Sequence, residues 1–227
     1  MKKQTRLFGI IMVFVCLLSI TSGCTQQKSS TNPPPSTESL QTILAKATTI
    51  ESMYYEISIT REMPGVPIPN SILKVWEKTQ YLKEEMITTI NGNTTDDIYI
   101  ERPEGMYQYD ETEHKYNPAP MVIMPEQSVG DIMQNLLPRN QSLTNLGNDI
   151  IFGKSATLIQ YAMPTSNNVS MTVKMWLWDE KGVPLKVVTT IIKNDTNITT
   201  GPRQLIMTYV YSNYSFSDIP DSTFSVQ

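Results

Sequence analysis

The sequence predicts an α+β protein built on one antiparallel sheet of about ten strands, interrupted by short helices. Three observations predict it. From residue 54 onward, apolar and polar side chains alternate with a period of two, as in Tyr55, Ile57 and Ile59 between Glu56, Ser58 and Thr60. Turn signals such as Asn91-Gly92 and Pro103-Glu104-Gly105 separate short apolar runs, which favours hairpins. No helical pattern of about ten to fifteen residues stands between successive strands, as a parallel sheet would require.

The elements follow in order. Leu40, Ile43, Leu44, Ala47 and Ile50 recur at helical spacing behind Ser39, a good N-cap, so residues 40–53 read as a short amphipathic helix. Strands are then expected from residue 54 and at 72–78, 81–90, 96–101, 106–110 and 115–116. Between 125 and 145 the alternation stops, and Val129, Ile132, Met133, Leu136 and Leu137 recur at helical spacing before Pro138. Strands resume at Phe152, 156–163, 169–178, 185–193 and 203–214.

The chain has 227 residues, 40 % of them hydrophobic and 18 % charged, which is globular composition. Its first 23 residues read as a signal peptide: Lys2, Lys3 and Arg6 precede an apolar run over 7–20, and Thr21-Ser22-Gly23 supplies small residues before Cys24. The run spans about 21 Å as a helix, short of the roughly 30 Å hydrocarbon core. The small-small-Gly-Cys ending resembles the lipobox of prokaryotic lipoproteins, with Thr21 where Leu is commonest. The resemblance implies that the Cys24 thiol takes a lipid and becomes the first mature residue. Cys16 lies within the signal, so Cys24 is the one mature cysteine and no intrachain disulfide is expected. Residues 24–39, with Pro33-Pro34-Pro35 and no aliphatic side chain, read as a tether reaching on the order of 40 Å from the lipid. The folded domain is 40–227.

Charge and motifs exclude several functions. Three of the 18 Lys and Arg lie before Cys24, leaving 15 against 22 Asp and Glu, a mature net charge near −7 with no basic face for nucleic acid. Five residues separate Gly147 from Gly153 before Lys154-Ser155 where a phosphate cradle needs four, so nucleotide is not expected. His114 is the one histidine, within Asp110-Glu111-Thr112-Glu113-His114-Lys115, which reads as a solvated hairpin tip rather than a metal site. The acid pairs Glu84-Glu85, Asp96-Asp97 and Asp179-Glu180 are adjacent, and adjacent strand residues face opposite ways. No Gly-x-Ser-x-Gly elbow is present, and neither an enzyme nor a cofactor is expected. Six Asn-x-Ser/Thr sequons, at Asn93, Asn140, Asn168, Asn194, Asn197 and Asn213, are compatible with an N-glycosylated archaeal surface protein.

A family resemblance is carried by three segments. Lys174-Met175-Trp176-Leu177-Trp178-Asp179-Glu180-Lys181-Gly182-Val183-Pro184-Leu185-Lys186 resembles a strand, turn and strand of the lipoprotein-sorting (LolA-like) superfamily. Asn213-Tyr214 followed by Ile219-Pro220-Asp221-Ser222-Thr223-Phe224 resembles its closing strand, and Gly153-Lys154-Ser155-Ala156 its central turn. The resemblance implies a strongly curved antiparallel half-barrel with short helices packed in its concave mouth. It also implies an apolar cavity that holds acyl chains, here in an anchored protein rather than a soluble shuttle.

Two apolar loops bear on that cavity. Met63-Pro64-Gly65-Val66-Pro67-Ile68-Pro69 joins the first two strands, and Met121-Val122-Ile123-Met124-Pro125 leads into the middle helix. Loops of this kind either fold back over the core or rim a ligand site, where unbranched Met adapts to chains of varying shape. On the second reading Met63, Val66, Ile68, Met121, Ile123 and Met124 contact the ligand. Trp76 and Trp176 alternate with the aliphatic faces of their strands and are expected on the outer face beneath lysine stems.

The sequence thus points to an envelope protein, lipid-anchored on the outer face of the cytoplasmic membrane, that binds acyl chains or a lipidated partner non-covalently. The alternative is a sensor or protein-interaction module whose barrel is filled by its own side chains. An open apolar cavity of more than a few hundred Å³ favours the first, a filled barrel the second.

Overall fold

The computed structural model of the chain describes residues 38–119, 128–163, 168–193 and 203–226. Helix α1 (Leu40–Ala47) is capped by Ser39, whose Oγ accepts the Thr42 amide proton at 3.1 Å, and it buries Ile43, Leu44 and Ala47. Two turns of helix are unstable alone, so α1 exists because this face is covered.

Eleven strands follow among the described residues: β1 (Ser52–Glu62), β2 (Ser71–Lys78), β3 (Tyr81–Ile90), β4 (Asn93–Arg102), β5 (Gly105–Asp110), β6 (Lys115–Pro118), β7 (Thr144–Ile151), β8 (Lys154–Met163), β9 (Val169–Trp178), β10 (Pro184–Lys193) and β11 (Arg203–Ser215). They form one antiparallel sheet in the order β6-β5-β4-β3-β2-β1-β11-β10-β9-β8-β7. The first strand therefore pairs with the last at the centre. The consecutive strands β6 and β7 are the two edges, and helix α2 (Val129–Leu136) lies between them in sequence. The sheet stays open. Both edges are blunted against further pairing: β6 has four residues and ends in Pro118, and β7 is irregular between Asn145 and Gly147.

The sheet has eleven strands where the sequence suggested about ten, and β7 is the addition. Its Gly147, two Asn and Asp149 are poor strand formers, and most of its residues are exposed. It forms because β8 presents an unpaired backbone edge beside it, a cause outside the segment itself. Thr144 and Asn145, grouped with the middle helix in the sequence reading, open this strand. Phe152, read there as a strand residue, occupies a two-residue turn with Gly153. Their φ angles of 51° and 74° are those of a type I′ hairpin, as are the 52° and 84° of Asn91-Gly92. Because that second turn is so tight, β4 starts at Asn93 rather than at residue 96.

Residues opposite one another in a ladder share a face. Ile159, Met175, Val187, Tyr209 and Ile59 are successive partners across β8, β9, β10, β11 and β1. Ile43 and Leu44 of α1 and Val129, Met133 and Leu136 of α2 join them in one core cluster that reaches Leu73 and Val75 of β2. A sheet whose strands from β2 to β8 share one core with two helices curls around them, and the helices occupy its concave side. On the opposite face Ile100, Ile219 and Phe224 form a second cluster with Trp76 and Tyr81, which seats the C-terminal turn Asp221–Phe224.

The turn between β9 and β10 ties α1 to the sheet. Asp179 is buried and accepts hydrogen bonds from Ser155 Oγ at 2.6 Å and Thr157 Oγ1 at 2.7 Å. Its backbone carbonyl accepts one from Lys46 Nζ of α1 at 2.7 Å.

Candidate functional site

The space beneath the two helices is filled. Tyr55, Ile43, Leu44, Ile57, Met133 and Ile159 are each 2 % exposed or less and meet there in one cluster. Among the described residues, the cavity that the resemblance implies between helices and sheet is thus occupied by the chain's own side chains.

The apolar concave face continues past that filled part. Met163, Met171, Ile191 and Leu205 are successive partners across β8 to β11, four residues along from the core row Ile159, Met175, Val187 and Tyr209. The intervening row is Tyr161, Val173, Thr189 and Met207. Met171, Ile191, Leu205 and Met207 are half-buried and stand outside the core cluster, and Met163 is 42 % exposed. This is a continuous apolar strip at one end of the strands, with flexible methionines at Met163 and Met171.

The β1–β2 loop lies at the same end. Arg61 pairs with Met207 and Glu62 with Ile206, so the loop leaves β1 beside the start of β11. Met63 and Ile68 are half-buried and Val66 is 49 % exposed; none of the three belongs to either core cluster. Met121, Ile123 and Met124 lie outside the described residues, as do Cys24 and nearly all of the tether.

A polar site that sequence reasoning missed lies where α2 begins. Tyr55 is buried, and its hydroxyl accepts the Val129 amide proton at 3.0 Å and donates to Glu77 Oε2 at 3.3 Å. Glu77 Oε1 accepts the Gly130 amide proton at 3.0 Å. Loss of hydration pushes the Glu77 carboxyl up to about 7, although its hydrogen bonds to Gly130, Tyr55 and Ser128 favour the charged form. A cleft of about 500 Å³ opens beside it, between the end of α1, the start of α2 and the β2–β3 turn, with Glu51, Glu101 and Asp131 in its walls. The signal for Glu77 was its phase: it follows Leu73 and Val75 on the buried side of β2, where an acid is out of place.

The remaining candidates fall as follows. Lys83 Nζ lies 5.0 Å from the Trp76 ring and Lys186 Nζ 5.0 Å from the Trp176 ring, so both tryptophans sit on the outer face under lysine ammonium groups. Trp176 also donates to Asp149 at 3.0 Å. His114 is exposed at the β5–β6 hairpin tip, where Asp110 Oδ1 accepts the Thr112 and Glu113 amide protons. Asn93, Asn168 and Asn213 are exposed. Asn140 lies in the turn Leu137–Ser142, and Asn194 and Asn197 are outside the described residues. Among the described residues no three His, Cys, Asp or Glu side chains gather as metal ligands, and no helix is long and apolar enough to cross a membrane.

No protein-family model matches the chain, and no curated protein matches it in sequence. Solved structures similar to it include a LolA superfamily protein from Nitrosomonas europaea, at 15 % identity and a TM-score of 0.38, over 83 % of this chain and 98 % of that one. Another is the complex of MucA and MucB from Pseudomonas aeruginosa, at 11 % identity and a TM-score of 0.45, where 83 % of this chain spans 61 % of the matched chain. A third is an uncharacterized conserved protein from Thermus thermophilus, at 10 % identity and a TM-score of 0.44, over 82 % of this chain and 93 % of that one.

Proposed function

We propose that the chain is an exported protein, anchored at the outer face of the cytoplasmic membrane through a lipidated Cys24, that binds an acyl chain or the lipidated end of a partner non-covalently. The observation that carries this reading is the strip Met163, Met171, Ile191 and Leu205, an apolar extension of the concave face beyond the filled core. An acyl chain laid along it gains about 0.8 kcal/mol per buried CH2, and methionine side chains adapt to its shape. On this reading Met63, Val66 and Ile68, at the same end of the strands, contact the bound chain, and Met121, Ile123 and Met124, outside the described residues, are proposed as further contacts. The role is binding rather than chemistry, and it asks for no nucleotide, metal or cofactor.

The test is to purify the chain without its first 24 residues, extract it, and compare the apolar molecules by mass spectrometry with those of a mock preparation. Titration with a fluorescent C16 fatty acid follows. A stoichiometric lipid and saturable uptake are expected. The filled space under α1 and α2 favours a second reading, in which the outer face of the sheet binds another protein. Absence of any bound lipid together with no uptake overturns the first reading in favour of the second. The anchor is tested separately by Cys24→Ser in the full chain, which should move the protein from the membrane to the soluble fraction, because the acyl chains that would hold it are absent.

A further inference from the structure

We infer that the Glu77 carboxyl is a proton-operated latch on the N-terminal end of α2, holding that end on the sheet while it carries a proton and loosening it when the proton leaves. The inference concerns the helix and does not depend on which ligand the strip takes.

The geometry is specific. The first amides of a helix have no partner within it and are ordinarily met by a cap or by water. Here Ser128 Oγ takes the Asp131 amide proton at 3.1 Å, while those of Val129 and Gly130 go to Tyr55 and Glu77, side chains of β1 and β2. Gly130 permits this approach, since a Cβ at that position would collide with Glu77 Oε1. Val129 is wholly buried immediately beside the pair. Lifting this end of α2 therefore exposes Val129 and the Glu77 carboxyl together.

The charges around Glu77 oppose ionisation. From α2 it faces Asp131, an acid like itself; from β1 and β11 it faces the Tyr55 and Tyr214 hydroxyls, both held in the neutral form by burial. Glu51 and Glu101 stand in the cleft walls. Lys78 is one residue further along β2 and is engaged by Asp218 and Asp221 at 3.1 and 2.8 Å. The hydrogen bonds from Gly130, Tyr55 and Ser128 are what favour the anion, and desolvation outweighs them. Docked, the carboxyl keeps its proton to about pH 7; lifted into water, it returns to an ordinary value near 4.5. The docked state thus binds the proton more tightly, so acid closes the latch and neutral to mildly alkaline solution eases it.

The experiment is amide exchange on the full chain from pH 6 to 8, corrected for intrinsic rates, read at Val129 and Gly130. The opening equilibrium is expected to rise about tenfold across this range in the unaltered chain. It is expected to stay flat within about twofold in Glu77→Gln, which keeps the acceptor and removes the charge. If that variant does not fold, the 13C signal of the Glu77 carboxyl in the unaltered chain serves instead, with an expected midpoint near 7. Equal pH trends in the two chains, or a carboxyl midpoint in the ordinary glutamate range, overturn the inference.

Discussion

Gly182 lies directly against the backbone of Ile43. Its φ is +74°, and a Cβ there would strike the Ile43 carbonyl oxygen and stand 3.0 Å from the Ala47 amide nitrogen. The β9–β10 turn and α1 thus meet backbone to backbone, and glycine is required for both its conformation and its lack of a side chain. Gly182→Ala is expected to cost about 2–5 kcal/mol, the left-handed strain adding to the overlap. Gly153 has the same φ with nothing within 4 Å of its missing Cβ, so Gly153→Ala costs about 1–2 kcal/mol. Urea unfolding of the two variants checks the difference.

The pH dependence of global stability follows from Glu77. Its folded value is raised to about 7 from 4.5, so its contribution to stability is whole below pH 4.5 and is lost as pH rises through 7. The difference in unfolding free energy between the unaltered chain and Glu77→Gln should therefore shift by about 3 kcal/mol over that window, against the unaltered chain at the higher pH. Denaturant titrations at pH 4.5, 6 and 8 read it.

Tyr55→Phe removes one hydroxyl and leaves two groups short. The Val129 amide loses its acceptor in a buried setting and Glu77 loses a donor. The expected loss is about 1–3 kcal/mol. Without the donor, the Glu77 carboxyl should titrate still higher, a shift that carboxyl NMR measures independently of stability.

Val66→Asp separates the two roles of the β1–β2 loop. Val66 is 49 % exposed, so stability should change by no more than about 0.5 kcal/mol. If the loop rims the strip, fatty-acid affinity should fall about tenfold. A drop in melting temperature without a change in affinity assigns the loop to structure instead.

Asp179 staples three parts of the fold, and Asp179→Ala leaves the Ser155 and Thr157 hydroxyls without their acceptor. The expected cost is about 2–4 kcal/mol, visible as a lower urea midpoint.

The alternation of Tyr55, Ile57 and Ile59 was enough to place a half-wet strand, and Ile43, Leu44 and Ala47 behind Ser39 enough to place a helix, because periodicity and caps act within a few residues. The hairpin at Asn91-Gly92 and the outer-face position of Trp76 were legible for the same reason. The strand β7 was not, since its Asn and Gly residues argue against a strand and only the neighbouring edge of β8 recruits it. Glu77 was visible as an acid in a buried phase, yet its partner Gly130 lies 53 residues away.

The sequence by itself determined the antiparallel class and most element positions, and it supplies the pattern ending at Cys24 from which export and lipid attachment are expected. These rest on local pattern and composition. Tertiary structure alone decided that β1 closes on β11, that the helices fill the concave face, and that a Met-rich strip remains beyond them. It also decided that one carboxyl ends beneath a helix. Such features arise when residues far apart in sequence are desolvated together, and the free energy of a buried contact depends on which partner the fold delivers.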